Sequence, residues 1–440
     1  MKTSALFLTA AVALLPAFAQ AGDLDPAAAK ARIDAILTRD YSGLEHIYED
    51  IHAHPEVAFQ ETRTASLLAG KMRKLGFEVT EKVGKTGIVA IYRNGKGPTV
   101  LIRTELDALP MEEKTGLPYA SHARQVIDGE ESFVAHSCGH DIHMAWWVGT
   151  AEALLAMKDQ WHGTLMFIGQ PAEERVAGAK AMLDDGLFTR FPKPDYGFAA
   201  HISNRPLGSV VIKAGTASSS ADAVEVIFHG RGGHGSMPSE TIDPIVMGAH
   251  FVTDVQTIIS REKDAGAFGV ITVGSFQAGS ASNIIPDHAD LKLTLRSFSP
   301  DVRKLLLDGV ARTARAVAQM ANAPAPEVRH IEGTASVIND DELVEKAGKT
   351  LKAALGDKVT LIPASMPGNP ASEDYSEFIA AGVPSVFYAI GGYDPKTIAD
   401  YEARGEPVPV NHSPHFAPVP ESIRTGVTTL ALSVLTVAGN

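Results

Sequence analysis

Cysteine is almost absent from this chain of 440 residues, in which Cys138 is the only one. An internal disulfide is therefore excluded, and the thiol is either an inert core group, an exposed liability or a metal ligand. Thiol redox chemistry within the chain is disfavoured as well, because no second cysteine is present to resolve an oxidised one.

Basic residues are scarce relative to acidic ones. The 39 Lys and Arg residues face 52 Asp and Glu residues, which gives a formal net charge of −13. An acidic chain without a basic run repels nucleic acid and anionic membrane surfaces, so neither is expected as a partner. The simplest role of the charge is to keep the protein soluble.

Long apolar runs are absent beyond the N-terminus. Lys2 precedes an apolar run over residues 5–15, and residues 17–21 contain two overlapping small-x-small cleavage sites. The run is shorter than the roughly 18 residues of a spanning helix and is followed by Pro16, which disfavours a retained anchor. We therefore predict a cleaved signal peptide over residues 1–21 and a secreted or periplasmic protein that leaves the membrane after cleavage.

The first half of the chain alternates helix and strand. Residues 61–75 read as an amphipathic helix, and short buried strands are predicted over residues 99–103, 165–169 and 196–200. Such alternation indicates an α/β fold with a mostly parallel sheet flanked by helices. We assign residues 22–216 and 330–440 to this domain.

Residues 217–329 have a different texture, which predicts a second domain inserted into the first. The order strand, helix, strand, strand, helix, strand is that of a ferredoxin-like α+β unit. The strands are predicted over Val224–Phe228, Phe268–Phe276, Ala289–Arg296 and Glu327–Ile331, and the helices over Asp243–Ser260 and Pro300–Ala321.

Polar side chains follow three of the predicted parallel strands. The first strand runs into Glu105 and Asp107, the second into Glu173-Glu174, and the third into His201. Since ligands bind at the carboxyl ends of strands in open parallel sheets, we expect the three segments to meet in one crevice.

The richest cluster of candidate ligands surrounds the lone cysteine. Cys138 and His140 lie two positions apart, ahead of a predicted helix. A divalent ion accepts thiolate and imidazole, and the ion together with the helix dipole would lower the pKa of the thiol. A buried small cysteine beside exposed histidines is an equal alternative on these residues alone. Asp141 is expected to orient a neighbour or cap the helix.

The Glu173-Glu174 pair suits a division of labour in which one carboxylate binds metal and the other takes a proton from water. Adjacent glutamates are also common on solvated surfaces, but a position just after a buried strand favours a site. His201 is either a structural histidine or a ligand, and one of His412 and His415 could complete the site. Asp107 could hold a histidine ligand or a metal.

His234 lies in the glycine-rich segment Gly230–Gly235 of the inserted domain. The segment does not match a phosphate-binding loop, because no GxxxxGK[ST] pattern is present. A histidine on such a loop could donate a hydrogen bond to a developing oxyanion, and a flexible surface hairpin is the alternative.

Five motifs in this order resemble the aminoacylase and carboxypeptidase family of dinuclear metallopeptidases. The similarity is greatest to the amidohydrolase branch, which includes hippurate hydrolase and indole-acetyl-amino-acid hydrolase, and it extends from about His54 to the C-terminus. The motifs are Cys138-Gly139-His140-Asp141-Ile142-His143-Met144, Glu173-Glu174, Gly232-Gly233-His234, Asn283-Ile284-Ile285-Pro286 and His412-Ser413-Pro414.

The resemblance implies a role for each matching residue. Glu173 would be the general base, and His412 rather than His415 would be a ligand, because the family motif is a histidine followed by Ser-Pro. The site would hold two divalent ions, of zinc, manganese, cobalt or nickel. The implied ligands are Cys138, His140, Glu174, His201 and His412.

The resemblance also makes the inserted domain a lid that contributes to the substrate site and often mediates dimerisation. His234 would help to stabilise the tetrahedral intermediate, while Asn283 and Arg296 would contact the substrate. A homodimer or tetramer formed through the lid is the implied assembly, and the lid histidine would then reach the partner's site.

Two positions depart from the family pattern. Glu105 stands where an aspartate is usual, which is expected to alter the geometry of the ligand-supporting groups near Glu105, whereas Asp107, which is expected to support a ligand, matches the pattern. Tyr375 stands where phenylalanine is usual, which is expected to add a hydroxyl near the substrate pocket.

The resulting hypothesis is a secreted metal-dependent amidohydrolase that cleaves the amide bond of an N-acyl amino acid or small peptide. Metal-activated water would lose its proton to Glu173, and Arg296 would bind a substrate carboxylate. The alternatives are a dipeptidase or carboxypeptidase of the same fold, or a non-catalytic metal or ligand carrier.

Overall fold

The computed structural model describes residues 24–439. The predicted signal peptide, residues 1–21, lies outside that range and stays a prediction. Between residues 24 and 439, no helix combines the length and apolarity needed to cross a membrane.

The helices and strands are named in chain order. The helices are α1 (Pro26–Ala53), α2 (Thr62–Lys74), α3 (His140–Ala156), α4 (Gly178–Asp184), α5 (Leu187–Arg190), α6 (Pro244–Asp254), α7 (Pro300–Met320), α8 (Asp341–Leu355), α9 (Ser376–Ala380), α10 (Pro395–Arg404) and α11 (Ser422–Ala438). The strands are β1 (Glu78–Val83), β2 (Gly87–Asn94), β3 (Thr99–Glu105), β4 (Arg124–Ile127), β5 (Glu130–Phe133), β6 (Gly163–Gln170), β7 (Tyr196–Pro206), β8 (Val210–Lys213), β9 (Gly215–Ser218), β10 (Ser220–His229), β11 (Gly233–His234), β12 (Gly269–Gln277), β13 (Ile284–Ile285), β14 (His288–Ser297), β15 (Glu327–Thr334), β16 (Val337–Asn339), β17 (Val359–Ile362) and β18 (Ser385–Tyr393).

A central sheet of eight strands has the order β1-β2-β6-β3-β7-β18-β8-β17. The pairings β6-β3, β3-β7, β7-β18 and β8-β17 are parallel, and the other three are antiparallel. The predicted α/β class with a mostly parallel sheet is confirmed. The parallel strands that carry the candidate residues, β3, β6 and β7, are direct neighbours or share a neighbour.

Side chains of the central strands alternate between two cores because successive residues point to opposite faces. In β3, Val100 and Ile102 join the core beneath α1, α3 and α11, whereas Leu101 joins a smaller core on the other face. Helix α3 is apolar around most of its surface, and both Trp146 and Trp147 are fully buried. It therefore packs between the sheet and the outer helices, which fixes its N-terminus against the strand ends.

The lid has its own antiparallel sheet, in the order β12-β14-β10-β15, with α6 and α7 packed on it. Alternate residues of β10, such as Val226 and Phe228, enter a core separate from that of the central sheet. The predicted ferredoxin-like order of elements is confirmed. The exact domain limits at residues 217 and 329 stay predictions.

The largest differences from the predicted elements are at the C-terminal ends of β7 and α6. Strand β7 continues past His201 to Pro206 because it stays paired with β18 to that point, so His201 lies within a strand rather than after one. Helix α6 ends at Asp254 rather than Ser260. A π-helical turn (Ile258–Glu262) follows and places Ile258 against Gly309 of α7, where a Cβ would lie 2.6 Å from its Cδ1.

Candidate metal centre

Gly139 sets the geometry at the start of α3. It is the N-cap residue with a φ of 88°, and a Cβ there would lie 2.4 Å from Ile202 Cγ2 of β7. A side chain would be strained by the backbone and would collide with the strand. The glycine therefore lets the chain turn tightly, with Cys138 before it and His140 after it against the ends of the central strands.

His140 presents a free ring nitrogen to the site. Its Nδ1 lies 2.7 Å from the carbonyl oxygen of Asp107, which fixes the tautomer with the proton on Nδ1. Its Nε2 is buried without a hydrogen-bond partner, as is Oε1 of Glu174, and the two atoms are 3.9 Å apart. Although burial lowers it, the contact with Asp107 and the charges of Glu105 and Glu174 raise the pKa of His140 to about 10. Nε2 therefore carries a proton beside Glu174 until a metal ion takes its place, and the two facing atoms fit a cation between them.

Cys138 completes this group. Its Sγ lies within 4.8 Å of ligand atoms of both His140 and Glu174. Burial, with the nearby charges of Glu174 and Glu173, raises the pKa of Cys138 well above its usual range. The helix N-terminus alone therefore does not produce the thiolate, and a bound cation is required to do so.

His201 approaches the cysteine from β7. Its Nδ1 lies 2.8 Å from the carbonyl oxygen of Ile202, so the proton is on Nδ1, and its Nε2 lies 3.4 Å from Sγ of Cys138. Burial and the neighbouring His143 lower the pKa of His201 to about 3, which keeps the ring neutral as ligation requires.

His412 reaches the cluster from the C-terminal loop. It has a φ of 70°, and its backbone N–H donates to the carbonyl of Ser137, at 2.8 Å. Its Nε2 lies 3.3 Å from Oε2 of Glu174. His415, in contrast, turns outward and bonds the carbonyl of Lys114, so it is His412 that lies beside the candidate ligands.

Glu173 lies next to the ligands on a bent loop after β6. Its Oε2 is 3.8 Å from His140 Nε2, and the side chain is buried. Burial and the carboxylates of Glu373, Glu174 and Asp374 raise the pKa of Glu173 well above its usual range. A raised pKa suits a group that must accept and hold a proton.

Asp107 holds both sides of the candidate site. Its backbone oxygen orients His140, while its carboxylate Oδ2 accepts from the backbone N–H of Glu174, at 2.9 Å. Oδ1 lies 3.5 Å from Nδ1 of His140. The residue therefore positions two candidate ligands, and its role in metal binding stays a prediction.

His143 lies in the same cluster but has no lone pair to offer. Its Nε2 accepts from the backbone N–H of Ile202, and its Nδ1 lies 2.9 Å from Oε2 of Glu105. The ring also packs edge-on against His201, with 4.5 Å between centroids. His143 therefore fixes the β7 backbone that carries His201. Sequence reasoning assigned it no role, although its spacing of three from His140 places both on one face of α3.

The departure at Glu105 has a structural explanation. Glu105 contacts both His143 and the fully buried Arg103. Burial alone would raise its pKa, but Arg103 and His143 hold the pKa of Glu105 well below its usual range. The longer side chain thus links the ligand-supporting histidine to a buried cation.

Arg103 is the centre of a charge network that the sequence did not reveal. Besides Glu105, its guanidinium bonds Glu373 at 2.7 Å, Asp374 at 3.3 Å and the side-chain oxygen of Gln170 at 2.9 Å. From the sequence, an arginine that follows an apolar strand segment indicates only the end of the strand. Its contacts with residues 373 and 374 become visible only in the folded structure.

The expectation for Tyr375 is wrong. The side chain is fully buried, and its hydroxyl donates to Ser385 Oγ at 3.0 Å, at the start of β18. A Cβ at Gly197 would lie 2.4 Å from the Tyr375 hydroxyl oxygen, so the glycine leaves the space that this hydroxyl occupies. The turn after Asp374 directs the ring into the core beside Phe378, so the hydroxyl is not in the substrate pocket.

Asp141 joins a second buried contact. Its Oδ1 accepts from the backbone N–H of Ile142, and its Oδ2 lies 2.6 Å from Nδ1 of His52. The other ring nitrogen of His52 lies 3.0 Å from Glu113. Although burial opposes the charged form, these two carboxylates raise the pKa of His52 to about 10. Asp141 thus ties the start of α3 to α1.

The three candidate substrate residues lie on or beside the lid. His234 of β11 pairs with Ile284 of β13 and accepts a hydrogen bond from Ser236 Oγ, while Asn283 accepts from the N–H of Gly235. Arg296 donates to Ser372 Oγ at 2.8 Å, next to Glu373. His234 and Asn283 thus share one corner of the lid, and their roles toward substrate stay predictions.

Comparison with known proteins supplies independent information on this site. A sequence model described as peptidase family M20/M25/M40 matches residues 101–435. Over 322 residues, 71% of this chain and 79% of the relative, the chain is 37% identical to hippurate hydrolase of Campylobacter jejuni. Over 392 residues, 88% of this chain and 93% of the relative, it is 33% identical to thermostable carboxypeptidase 1 of Saccharolobus solfataricus.

The fold also matches a solved structure. The YXEP protein of Bacillus subtilis, described as a dinuclear metal-binding peptidase, aligns with a TM-score of 0.73 at 27% identity. The alignment covers 92% of this chain and 99% of that protein. The match extends through both the central sheet and the lid.

Proposed function

Because this chain belongs to peptidase family M20/M25/M40, we propose that it is a metal-dependent amidohydrolase that cleaves the amide bond of N-acyl amino acids or small peptides. The family assignment makes the protein a hydrolase. The observation that carries the proposal is the meeting of Cys138, His140 and Glu174 around one point, with Glu173 beside them.

The candidate ligands are Cys138, His140, Glu174, His201 and His412, and they would hold two divalent ions. When bound, the ions would acidify the attacking water and polarise the scissile carbonyl. A mixed set of thiolate, imidazole and carboxylate suits zinc, manganese, cobalt or nickel. The buried, unpartnered atoms of His140 and Glu174 support this assignment.

Glu173 would act as the general base and then as the general acid. It would take one proton from the attacking water and deliver it to the leaving amine nitrogen, so that the base is regenerated at the end of the cycle. Its position beside Glu174 and His140, and its raised pKa, support this role.

The lid would supply the substrate contacts. His234 would donate a hydrogen bond to the oxyanion of the tetrahedral intermediate, and Asn283 would contact the substrate from the same corner. Arg296 would bind the substrate carboxylate through its paired N–H groups, which an acidic protein needs to hold an anion. Arg296 reaches the catalytic domain at Ser372.

Hydrolysis of a substrate panel tests the proposal. We expect metal-dependent release of free amino acid from N-benzoyl-, N-acetyl- and N-indoleacetyl-amino acids, and loss of that release on chelation. Faster turnover of unblocked dipeptides, or of peptides shortened from the carboxyl end, would favour the dipeptidase or carboxypeptidase alternative. No hydrolysis of any of these with metal bound would favour the non-catalytic carrier, although a carrier has no use for Glu173.

Export and assembly belong to the same proposal. A signal peptide over residues 1–21 would direct the protein to the periplasm or outside the cell. Mass spectrometry of the mature N-terminus, on protein recovered from its native compartment, tests this.

A dimer or tetramer formed through the lid is supported by the exposed apolar side chains of Val246, Phe276 and Ile284 there. Light scattering of wild type and Ile284→Lys tests it, since the variant is expected to shift toward monomer.

A further inference from the structure

Glu61, at the start of α2, is a buried carboxylate with no cationic partner. Its side chain has no exposed surface, and no ion pair involves it anywhere in residues 24–439. Burial, with the charge of Asp107 nearby, raises its pKa to about 7. A carboxyl group is costly to bury, so its presence points to the hydrogen bonds that it accepts.

Those hydrogen bonds join three separate segments. Oε1 accepts from the backbone N–H of Phe59 at 2.9 Å and from that of Ala172 at 2.8 Å, and Oε2 accepts from the hydroxyl of Thr86. Phe59 precedes α2, Thr86 lies in the turn between β1 and β2, and Ala172 lies in the loop after β6. The carboxyl group thus ties the outer part of the domain to the loop that carries the candidate base.

The loop needs such a contact because its backbone is strained. Ala172 has a φ of 49° and Val176 a φ of 51°, a region that non-glycine residues rarely adopt. Inside the loop, the N–H of Val176 donates to the carbonyl of Glu173. Residues held in this region persist only where surrounding contacts determine their conformation.

The two amides that flank Glu173 are each held by a buried carboxyl group. Glu61 accepts from the N–H of Ala172, and Asp107 accepts from the N–H of Glu174 at 2.9 Å. Asp107 also orients His140, so one side of the loop is fixed to the candidate ligands. Glu61 fixes the other side to the rest of the domain.

We infer that Glu61 is a positioning residue that holds the loop over residues 171–178 in the conformation in which Glu173 and Glu174 face the site. The inference rests on the proposed function only in treating Glu173 as the base and Glu174 as a ligand. What matters is the reach of the acceptor oxygen to Ala172 rather than the negative charge.

Three substitutions separate reach from charge. Glu61→Met removes the acceptor, Glu61→Asp keeps a carboxylate but withdraws it by one methylene, and Glu61→Gln keeps the length and one acceptor oxygen while its NH2 group faces Thr86. Thr86→Val is the matched control, because it removes a hydrogen bond from the same carboxyl group and leaves the Ala172 contact in place.

Hydrogen–deuterium exchange of the metal-free protein provides a readout that needs neither substrate nor metal. We expect the amides of residues 172–178 to exchange at least about tenfold faster in Glu61→Met and Glu61→Asp, and within about twofold of wild type in Glu61→Gln and Thr86→Val. If Glu61→Met does not fold, Glu61→Asp answers the same question. Unchanged exchange in the shortened variant, or equal acceleration in Thr86→Val, overturns the inference.

Kinetics and metal binding complete the test. In the metal-loaded enzyme, Glu61→Asp is expected to lower kcat about tenfold or more with KM within about threefold, and Glu61→Gln to restore it. Metal affinity is likewise expected to fall in Glu61→Asp and to be restored in Glu61→Gln. A loss of kcat in Glu61→Gln that equals or exceeds the loss in Glu61→Asp overturns the inference, because the reach of the acceptor oxygen to Ala172 would then not be what matters. If wild type hydrolyses nothing on the panel, the proposed function fails, while exchange and metal affinity still decide the role of Glu61.

Discussion

The candidate ligands of the central sheet and the candidate substrate residues of the lid are held in very different ways. The side chains of His140 and Glu174 are buried, and each of the two residues makes a hydrogen bond to Asp107. His234 and Asn283 are exposed, and their hydrogen bonds stay within their own corner of the lid. The first half of the proposed site is thus held by contacts within the catalytic domain, whereas the second half is exposed and is held only by its own corner of the lid.

This contrast has a chemical rationale. A metal site needs its ligands and their supporting groups placed before binding, because buried polar ligands are unfavourable without a cation and must be held in position by their neighbours. A substrate-binding half must let substrate enter and product leave, so exposed side chains on a separate domain are suited to it. The comparison predicts that substitutions in the sheet affect metal and stability, and substitutions in the lid affect turnover alone.

Replacing the cysteine should have the largest effect. In Cys138→Ala we expect metal binding at the centre to weaken and activity to fall by about 10³-fold or more, because one of the candidate ligands is lost. Metal analysis and turnover at saturating metal measure both. As a control, Cys138 of wild type should be alkylated by iodoacetamide after chelation and not before. Two ions per chain with unaltered affinity in Cys138→Ala would show that the thiol is not a ligand.

Breaking the buried charge network is the next largest expected effect, and it acts on stability. Arg103→Met leaves Glu105, Glu373 and Asp374 without their cation, which is expected to cost about 3–5 kcal/mol of unfolding free energy. Urea unfolding of the metal-free protein measures it. Arg404→Met is the control, since Arg404 is an exposed residue paired with Glu406, and its loss should change stability little. Equal losses of unfolding free energy in the two variants would contradict the prediction that the buried charge network stabilises the fold more than a surface ion pair.

A lid substitution should change turnover without changing the metal centre. We expect His234→Ala to lower kcat about 10²-fold, the scale of a lost oxyanion donor, with metal content and melting temperature unchanged. Ser236→Ala serves as the matched variant, because it removes the hydroxyl that bonds His234 but leaves the ring in place. A loss of metal in His234→Ala would contradict this prediction, because His234 would then contribute to the metal centre as well as to the lid.

The smallest expected effect concerns Tyr375. Tyr375→Phe removes the hydrogen bond to Ser385 and leaves the ring in the core, so we expect a loss of about 1 kcal/mol in unfolding free energy and no change in kcat/KM. Thermal unfolding and kinetics on the same substrate panel check it. A change in substrate preference would contradict this prediction and would show that the Tyr375 hydroxyl contributes to the substrate pocket.

Several candidate site residues could be placed from the sequence, because their residue types suit metal chemistry and they lie in or just after predicted strands. Asp107 and Glu173 follow β3 and β6, His201 lies within β7, and the fold brings these three strands side by side. Contacts between side chains that are distant in the chain were not predictable. Arg103 meets Glu373 across 270 positions, and Glu61 meets Ala172 across 111.

Direction was the other information missing from the sequence. The position of Tyr375 beside Glu373 and Asp374 was visible, but a turn of the backbone decides which way each side chain points. Glu373 faces Arg103, whereas Tyr375 faces Ser385 and the core. Similarly, His143 and His140 share a helix face, and only the hydrogen bond from Ile202 shows which of the two has a nitrogen free for metal.

The central claim is that Glu173 performs the proton transfer while its neighbours hold the metal, and the Glu173→Gln variant tests it most directly. Metal content and single-turnover hydrolysis of an N-acyl amino acid are measured on the same sample. The account predicts wild-type metal content and affinity, with the rate of amide cleavage lowered about 10³–10⁴-fold. Wild-type turnover in a variant that retains its metal would contradict it.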